Sequence, residues 1–177
     1  MKANVPELHK KNAKKKLRCA IFTVSTSKYE RKLRGEPVDD VSGSVARRLL
    51  EENGHEVVLY DLLPDDLDEI RKGVESSIQA ADVDFIVTMG GTGLTKRDVT
   101  VEAVSPLFEK ELPGFGELFR LKSYEQVGTA AVLSRAVAGV AAGKAIFCLP
   151  GSPDAVRLAL SEIIIPEVPH IVKHARE

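Results

Sequence analysis

The chain has 177 residues, of which 44% are hydrophobic and 29% are charged, and its formal net charge is −1. This length favours one domain with a sizeable core, and the small net charge provides no global attraction to nucleic acid or to a membrane surface. No apolar run has the length of a membrane span or of a signal-peptide core. We therefore expect a cytoplasmic protein that binds neither nucleic acid nor membrane, with reduced, buried thiols at Cys19 and Cys148.

Lysines cluster between positions 10 and 16 in an otherwise polar segment. Such a composition is typical of a loosely attached arm. The alternative is a contact with nucleic acid or a partner, although no aromatic side chain is present on which a base could stack. We therefore divide the chain into a basic N-terminal arm, residues 1–17, and an α/β domain, residues 18–177.

Short apolar runs rich in β-branched residues predict strands, and amphipathic segments between them predict helices. Alternation of the two predicts a three-layer αβα single domain with a mostly parallel sheet. The segment between residues 25 and 40 is expected to be a long loop. The predicted strands are 18–24, 55–63, 85–89 and 144–149, and the predicted helices start near residues 41, 67, 100, 112, 155 and 166.

The most informative stretch is residues 85–100, FIVTMGGTGLTKRDVT. Its strand ends at Gly90, Gly91 and Gly93, which allow a sharp turn and a close approach to a ligand. The bare N–H groups of such a turn and the positive end of a following helix suit a phosphate. The loop matches neither the dinucleotide fingerprint nor the P-loop, and a purely structural turn is the alternative.

Polar side chains in the same loop could complete a phosphate site. Lys96 and Arg97 would add cationic donors, and the carboxylate of Asp98 could hold Mg²⁺. Asp98 or Thr100 could instead cap the helix that follows.

Other predicted strands also end in polar loops. Asp65 and Asp66 follow the second strand, and either could cap the next helix. Because the carboxyl ends of parallel strands meet at one edge of a sheet, Asp65 and Asp98 are expected at the ends of neighbouring strands, as a magnesium–phosphate site requires. The last strand ends in a proline–glycine–serine turn at 150–152, which predicts a second anion or nucleotide site.

Three further groups have open roles. Asp40 or Ser42 could cap the helix that follows them. Arg135 stands among small apolar residues and requires an anionic partner, either a structural carboxylate or a ligand phosphate. His170 and His174 have a spacing that permits a metal, but without the glutamate of an H-E-x-x-H motif we expect surface or packed histidines.

Four ordered motifs resemble the MoaB/MogA family of molybdenum-cofactor biosynthesis proteins, and the likeness runs from about Arg18 to the C-terminus. Thr26 departs from the pattern, since an aspartate commonly follows the serine in this first loop. The motifs are TMGGTG at 88–93 with RDVT at 97–100, LPD at 63–65, LSR at 133–135 with Gly139, and LPGSP at 149–153.

The resemblance implies the MogA/MoaB-like fold, with a cleft at the carboxyl edge of the sheet, and a homotrimer or a dimer of trimers. It implies a nucleotidyltransferase that adenylylates molybdopterin with Mg-ATP, giving adenylyl-molybdopterin and pyrophosphate. One alternative is a non-catalytic molybdopterin-binding or scaffold protein of the same pathway, in contact with the metal-insertion protein. Another is a relative that acts on a different nucleotide.

By the same resemblance, Asp65 and Asp98 are the expected catalytic residues and Mg²⁺ ligands. Which loop binds the pterin and which the adenylate stays open, as does the choice between molybdenum and tungsten, although the loop at 150–152 is expected to flank the nucleotide. The expected substrate- and nucleotide-binding residues are Ser25, Ser27, Asp40, Ser42, Gly43, Gly90, Gly91, Thr92, Gly93, Arg97, Thr100, Ser134, Arg135, Pro150, Gly151 and Ser152.

Overall fold

The structure, a computed structural model, describes residues 16–177. The predicted basic arm therefore lies outside the described residues, except at its end. Leu17, which the sequence assigned to the arm, is fully buried in the core, and its carbonyl accepts a hydrogen bond from the N–H of Glu56 at 2.9 Å. The folded domain thus includes Leu17. In residues 16–177, no helix has both the length and the hydropathy that a membrane crossing needs.

Within the described residues, six strands form one sheet. They are β1 (Arg18–Val24), β2 (Glu56–Leu63), β3 (Phe85–Met89), β4 (Lys110–Glu111), β5 (Val137–Ala141) and β6 (Lys144–Leu149). Their order is β2-β1-β3-β6-β5-β4. The first four strands of this order are mutually parallel, and β5 and β4 continue the sheet antiparallel. The prediction of a mostly parallel sheet is confirmed.

Helices connect the strands and cover both faces of the sheet. They are α1 (Thr26–Leu33), α2 (Val41–Glu52), α3 (Leu67–Gln79), α4 (Thr100–Val104), α5 (Pro113–Val127), α6 (Pro153–Ala159) and α7 (Ile165–Ala175). Short 3-10 turns at Ser105–Leu107 and Gly128–Leu133 follow α4 and α5. A π-helical turn at Leu160–Ile164 joins α6 to α7, so the two predicted closing helices form one continuous helical run.

The two faces of the sheet pack against different helices. In β1, Cys19 and Ile21 belong to a core cluster with α2, α5, α6 and α7. Ala20 and Phe22, which point to the opposite face because side chains alternate along a strand, belong to a cluster with α3 and α4. This arrangement confirms the three-layer αβα domain.

Helix α1 lies where the sequence predicted a loop. None of its residues is buried, and only Tyr29 and Leu33 in it are large and apolar, which is too few for a helix to be recognised from apolar periodicity. Its start is fixed instead by a distant residue, since Asp65 Oδ2 accepts the N–H of Thr26 at 2.9 Å. The antiparallel strands β4 and β5 were also not predicted. Strand β4 has only two residues, and three of the five residues of β5 are alanine or glycine, which have weak strand preference.

Candidate functional site

Four parallel strands end at one edge of the sheet. In the strand register, Val24 of β1 pairs with Leu63 of β2, and Met89 of β3 pairs with Leu149 of β6 and with Thr23. The loops that follow these strands are therefore brought together, as the sequence predicted. The prediction that Asp65 and Asp98 follow neighbouring strands is wrong, because β1 lies between β2 and β3.

The loop after β3 requires glycine at two positions. Gly90 and Gly91 have φ angles of 100° and 64°, which side chains other than hydrogen rarely tolerate. A Cβ on Gly90 would also overlap the carbonyl oxygen of Val24, and one on Gly91 would overlap the hydroxyl of Thr100. The glycines thus allow the loop to pack directly against β1.

Thr100 holds this loop closed. Its hydroxyl donates to the carbonyl of Gly90 at 2.8 Å, and its N–H donates to the carbonyl of Gly91 at 2.9 Å. Thr100 is the first residue of α4, and its hydroxyl does not cap that helix. Among the hydrogen bonds found within residues 16–177, none engages the N–H groups of Gly91 and Thr92, which leaves two backbone donors for an anion.

The loop after β6 contacts the loop after β3. A Cβ on Gly151 would lie 3.1 Å from the Cα of Gly90. Ser42, at the start of α2, donates its hydroxyl to the carbonyl of Gly151 at 2.7 Å, while the hydroxyl of Ser152 caps α6 by accepting the N–H of Ala155 at 3.3 Å. The structure therefore brings together residues that are far apart in the sequence.

Asp65 and Thr26 form a reciprocal pair. The N–H and the hydroxyl of Thr26 both donate to Asp65 Oδ2, at 2.9 and 2.8 Å, and the N–H of Asp65 donates to the Thr26 hydroxyl at 3.0 Å. Asp65 Oδ1 faces the glycine loop, 3.4 Å from where a Cβ of Gly91 would lie. Helix α3 is capped by Asp66 instead, which accepts the N–H groups of Asp68 and Glu69 at 3.0 Å.

Asp98 folds back on its own loop. Its Oδ2 accepts the hydroxyl and the N–H of Thr95, at 2.6 and 2.9 Å, and the carboxylate lies beside Gly93, where a Cβ would come within 2.8 Å of Oδ2. The hydrogen bond from the Thr95 hydroxyl is the main reason that the pKa of Asp98 is lowered, with the charge of Arg135 adding to it. Asp98 is therefore a stable anion at neutral pH.

Arg135 has a structural carboxylate as its partner. Its guanidinium pairs with both oxygens of Glu102, at 2.6 and 2.9 Å, and this pairing lowers the pKa of Glu102. The same guanidinium donates from Nε to the carbonyl of Thr92 at 3.1 Å and from Nη2 to the carbonyl of Asp98 at 3.4 Å. Arg135 thus clamps both ends of the loop at 92–98.

Asp40 lies at the N-cap position of α2 without a capping hydrogen bond from its side chain. Its carboxylate instead accepts hydrogen bonds from Lys28 at 2.8 Å and from the hydroxyl of Tyr60. Burial of Asp40 raises its pKa, but the hydrogen bonds from Lys28 and Tyr60 contribute to an opposite effect that outweighs burial, and the net pKa is lowered. Neither Asp40 nor Ser42 therefore acts as a side-chain cap.

A cavity of about 310 Å³ opens beside the loop after β6. Three predicted residues, Ser134, Pro150 and Ser152, line it together with Phe119 and Ser123 of α5. It is a concave site of the size that holds a small-molecule fragment.

The remaining predicted residues, Ser25, Ser27 and Arg97, are more exposed than Thr92 and Thr100 of the glycine loop. Ser25 and Ser27 lie at the start of α1 with their hydroxyl oxygens 3.3 Å apart, and Arg97 is exposed at the tip of the glycine loop. These residues surround the same edge of the sheet.

No group of three or more His, Cys, Asp or Glu side chains in residues 16–177 is arranged to hold a metal ion. A cation at the candidate site would be held by Asp65 and Asp98 together with phosphate oxygens of a bound substrate, which is the usual arrangement for Mg²⁺. His170 and His174 lie on α7, with their Nε2 atoms 2.8 Å apart, and line a cavity beside β4 rather than this site.

Lys28, Tyr60, Thr95 and Glu102 are contacts that sequence reasoning missed. Each is adjacent to a predicted residue in space. Lys28, Tyr60 and Glu102 belong to segments with no motif of their own, and Thr95 lies between the motifs at 88–93 and 97–100. The one available signal was the requirement of Arg135 for an anionic partner, which left a structural carboxylate and a ligand phosphate open and did not identify Glu102.

Comparison with known proteins assigns the region that contains this site to a family. The family described as "Probable molybdopterin binding domain" matches residues 20–170. The chain belongs to this family. The match includes all four parallel strands except the first two residues of β1, and all the loops at their carboxyl ends.

Relatives of this molybdopterin-binding family cover nearly the whole chain. Molybdenum cofactor biosynthesis protein B of Bacillus cereus is 48% identical over 164 residues, 92% of this chain and 93% of that protein. Molybdopterin adenylyltransferase of Pyrococcus furiosus is 46% identical over 175 residues, 97% of this chain and 98% of that protein. The crystal structure of the tungsten cofactor synthesizing protein MoaB from Pyrococcus furiosus superposes with a TM-score of 0.82 at 45% identity, covering 93% of this chain and 100% of that one.

Proposed function

We propose that this protein is a molybdopterin adenylyltransferase that acts in the biosynthesis of the molybdenum or tungsten cofactor. The observation that carries the proposal is the convergence of the loops after β1, β2, β3 and β6 at one edge, where Gly151 packs on Gly90 and Asp65 faces Gly91. Such an edge is where open α/β sheets bind nucleotides. The names of the relatives, at 46% identity and nearly full coverage, support the choice of substrate.

In the proposed reaction, an oxygen of the terminal phosphate of molybdopterin attacks the α-phosphorus of ATP. The bond from that phosphorus to the bridging oxygen breaks, and pyrophosphate leaves, so that adenylyl-molybdopterin is the other product. Catalysis of such a transfer consists mostly of positioning and charge neutralisation.

The roles follow from the groups at the site. The N–H groups of Gly91 and Thr92 would bind phosphate oxygens, and Ser152 would lie beside the nucleotide. Asp65 and Asp98 would hold Mg²⁺, which when bound neutralises phosphate charge. Arg135 would act by clamping the loop, because its guanidinium is already paired with Glu102.

A non-catalytic binder or scaffold is the second candidate. Thr26 satisfies Asp65 Oδ2 with two neutral donors, so this carboxylate depends less on a cation than it would beside a second aspartate. A protein that only held molybdopterin for the metal-insertion protein would tolerate this arrangement. The free, buried thiols of Cys19 and Cys148 suit a reducing compartment, and we propose the cytoplasm for either function.

The test is pyrophosphate release from the purified protein with molybdopterin, ATP and Mg²⁺. We expect release that depends on molybdopterin and that falls by about 100-fold or more in Asp65→Asn and in Asp98→Asn, because each removes a carboxylate charge from the phosphate site. Asp66→Asn is the matched control, since Asp66 only caps α3 and asparagine caps equally well.

Each outcome discriminates between the candidates. Release in the wild type that is lost in both variants and kept in the control supports the adenylyltransferase. Absence of release together with tight molybdopterin binding supports the binder. Release that does not need molybdopterin indicates that another substrate accepts the adenylyl group.

A further inference from the structure

Tyr60 and Lys28 hold a buried carboxylate beside the candidate site. Tyr60 belongs to the edge strand β2, and its hydroxyl donates to Asp40 Oδ2. Lys28 of α1 donates to the other oxygen, Oδ1, at 2.8 Å. Asp40 is only 7% exposed. Because a buried charge is costly without hydrogen-bond partners, the carboxylate stays where Tyr60 and Lys28 can both donate to it. The carboxylate therefore ties β2 and α1 to the start of α2.

From Asp40 the contacts continue to the loop after β6. The N–H of Ser44 donates to the carbonyl of Asp40 at 3.0 Å, which starts α2. In this first turn, Ser42 donates its hydroxyl to the carbonyl of Gly151 at 2.7 Å. Because Gly151 packs on Gly90, a shift of Asp40 would be transmitted to both glycine loops.

Gly43 lets Asp40 and Tyr60 lie in direct contact with the backbone of α2. A Cβ at this position would overlap Asp40 Oδ2 and would lie 2.6 Å from the hydroxyl oxygen of Tyr60. The carboxylate and the phenol therefore pack directly against the backbone of the first turn of α2. Interiors packed at this density transmit small displacements instead of absorbing them.

We propose that Tyr60 is a positioning residue for the reaction, which fixes the loop at 150–152 against the substrate through Asp40 and Ser42. The inference rests on the proposed adenylyltransferase function. Tyr60 is 36% exposed. Its partial burial, together with the hydrogen bond and charge of Asp40, raises the pKa of Tyr60, so its hydroxyl remains a donor at every physiological pH. The net pKa of Asp40 is lowered, so its carboxylate remains the acceptor.

The test is Tyr60→Phe, which removes one hydroxyl and keeps the ring. We expect the KM for one of the two substrates to rise by about tenfold, since a displaced loop binds less well while the reacting groups are unchanged. The substrate whose KM rises is the one that the loop at 150–152 binds. The amides that flank the loop are those of Gly90, which donates to the carbonyl of Leu149 at 3.0 Å, and Val156, which donates to the carbonyl of Ser152 at 3.0 Å. Hydrogen exchange of these two amides should become faster by a larger factor than that of the amides in β3.

Tyr29→Phe is the matched control, because it removes a hydroxyl from the neighbouring helix α1 without breaking a bond to Asp40. A double-mutant cycle adds a second check: in an Asp40→Asn background, Tyr60→Phe should have little further effect on KM if it acts through Asp40. A merely structural role would leave both KM values unchanged, even if the lost hydrogen bond to the buried Asp40 carboxylate lowered the thermal midpoint.

The proposal would be overturned by unchanged KM values together with unchanged exchange of the Gly90 and Val156 amides in Tyr60→Phe. It would also be overturned if Tyr29→Phe changed KM and exchange as much as Tyr60→Phe does. Failure of the proposed adenylyltransferase function can be distinguished from failure of this inference, because in that case the wild type itself would release no pyrophosphate. In that event hydrogen exchange still tests the connection from Tyr60 to the loop. Faster exchange of the Gly90 and Val156 amides in Tyr60→Phe, but not in Tyr29→Phe, supports the connection, and unchanged exchange refutes it.

Discussion

At the scale of single residues, the candidate site depends on positions where only a hydrogen atom fits. Gly90, Gly91, Gly43 and Gly151 each lack room for a Cβ or pack closely on another segment. Two of them also have positive φ angles. Such close backbone approach exposes N–H groups to an anion. Glycine loses more conformational entropy on folding than other residues, and at this edge of the sheet the close approach requires it nevertheless.

Gly91→Ala tests this requirement. The new methyl group would overlap the Thr100 hydroxyl at a φ angle of 64°, and we expect it to lower the free energy of unfolding by about 1–3 kcal/mol. Urea denaturation measures the change. Gly114→Ala is the control, because no neighbouring atom lies within 4 Å of its Cβ position. Equal stability of the two variants would contradict the strain at Gly91.

At the scale of elements, the loop between β3 and α4 is held by a clamp from the segment before β5. Arg135 binds Glu102 on α4 and two carbonyls of the loop. The pair is partly exposed, with side-chain exposures of 29% for Arg135 and 45% for Glu102, so solvent screening limits its contribution to stability. Its effect on loop geometry is expected to be larger than its effect on folding.

Glu102→Ala separates these two effects. We expect a fall of about tenfold or more in kcat/KM for adenylylation, because the loop at 92–98 loses its support, with a change of less than about 1 kcal/mol in unfolding free energy. Glu51→Ala, which removes the exposed partner of Arg47 on α2, is the control and should leave activity unchanged. If Glu102→Ala also retained full activity, the clamp would have no part in positioning the loop.

At the scale of the whole molecule, large apolar side chains remain exposed on one segment. Leu118, Leu121, Tyr124 and Val127 of α5 are 49–60% exposed, and Val132 in the following turn is 80% exposed. Clusters of this kind mark interaction surfaces. We propose that a further copy of this chain covers them in the homotrimer, or in the dimer of trimers, that the family resemblance implies.

Leu121→Asp tests the assembly, because a carboxylate in an apolar interface carries a desolvation cost without a partner. We expect the mass in solution, measured by light scattering after size-exclusion chromatography, to fall to that of a monomer. Leu33→Asp, at a residue that is 68% exposed at the end of α1, should leave the mass unchanged. A wild-type protein that is itself monomeric would refute the proposed oligomer.

The sequence by itself determined the parallel strands, the glycine turn after β3 and the edge at which the loops meet. These features depend on local patterns: apolar β-branched runs, glycines and alternation of strand and helix. The start of α3 at Asp66 is of the same kind, because a cap bonds residues within the same turn.

Only the tertiary structure decided which polar groups bond each other. Asp65 bonds Thr26 across 39 residues, Arg135 bonds Glu102 across 33, and Ser42 bonds Gly151 across 109. These partners depend on the order β2-β1-β3-β6, which places β1 between the strands that carry the two aspartates. Local patterns do not encode strand order, because β1, β3 and β6 are buried on both faces and each would fit beside several neighbours.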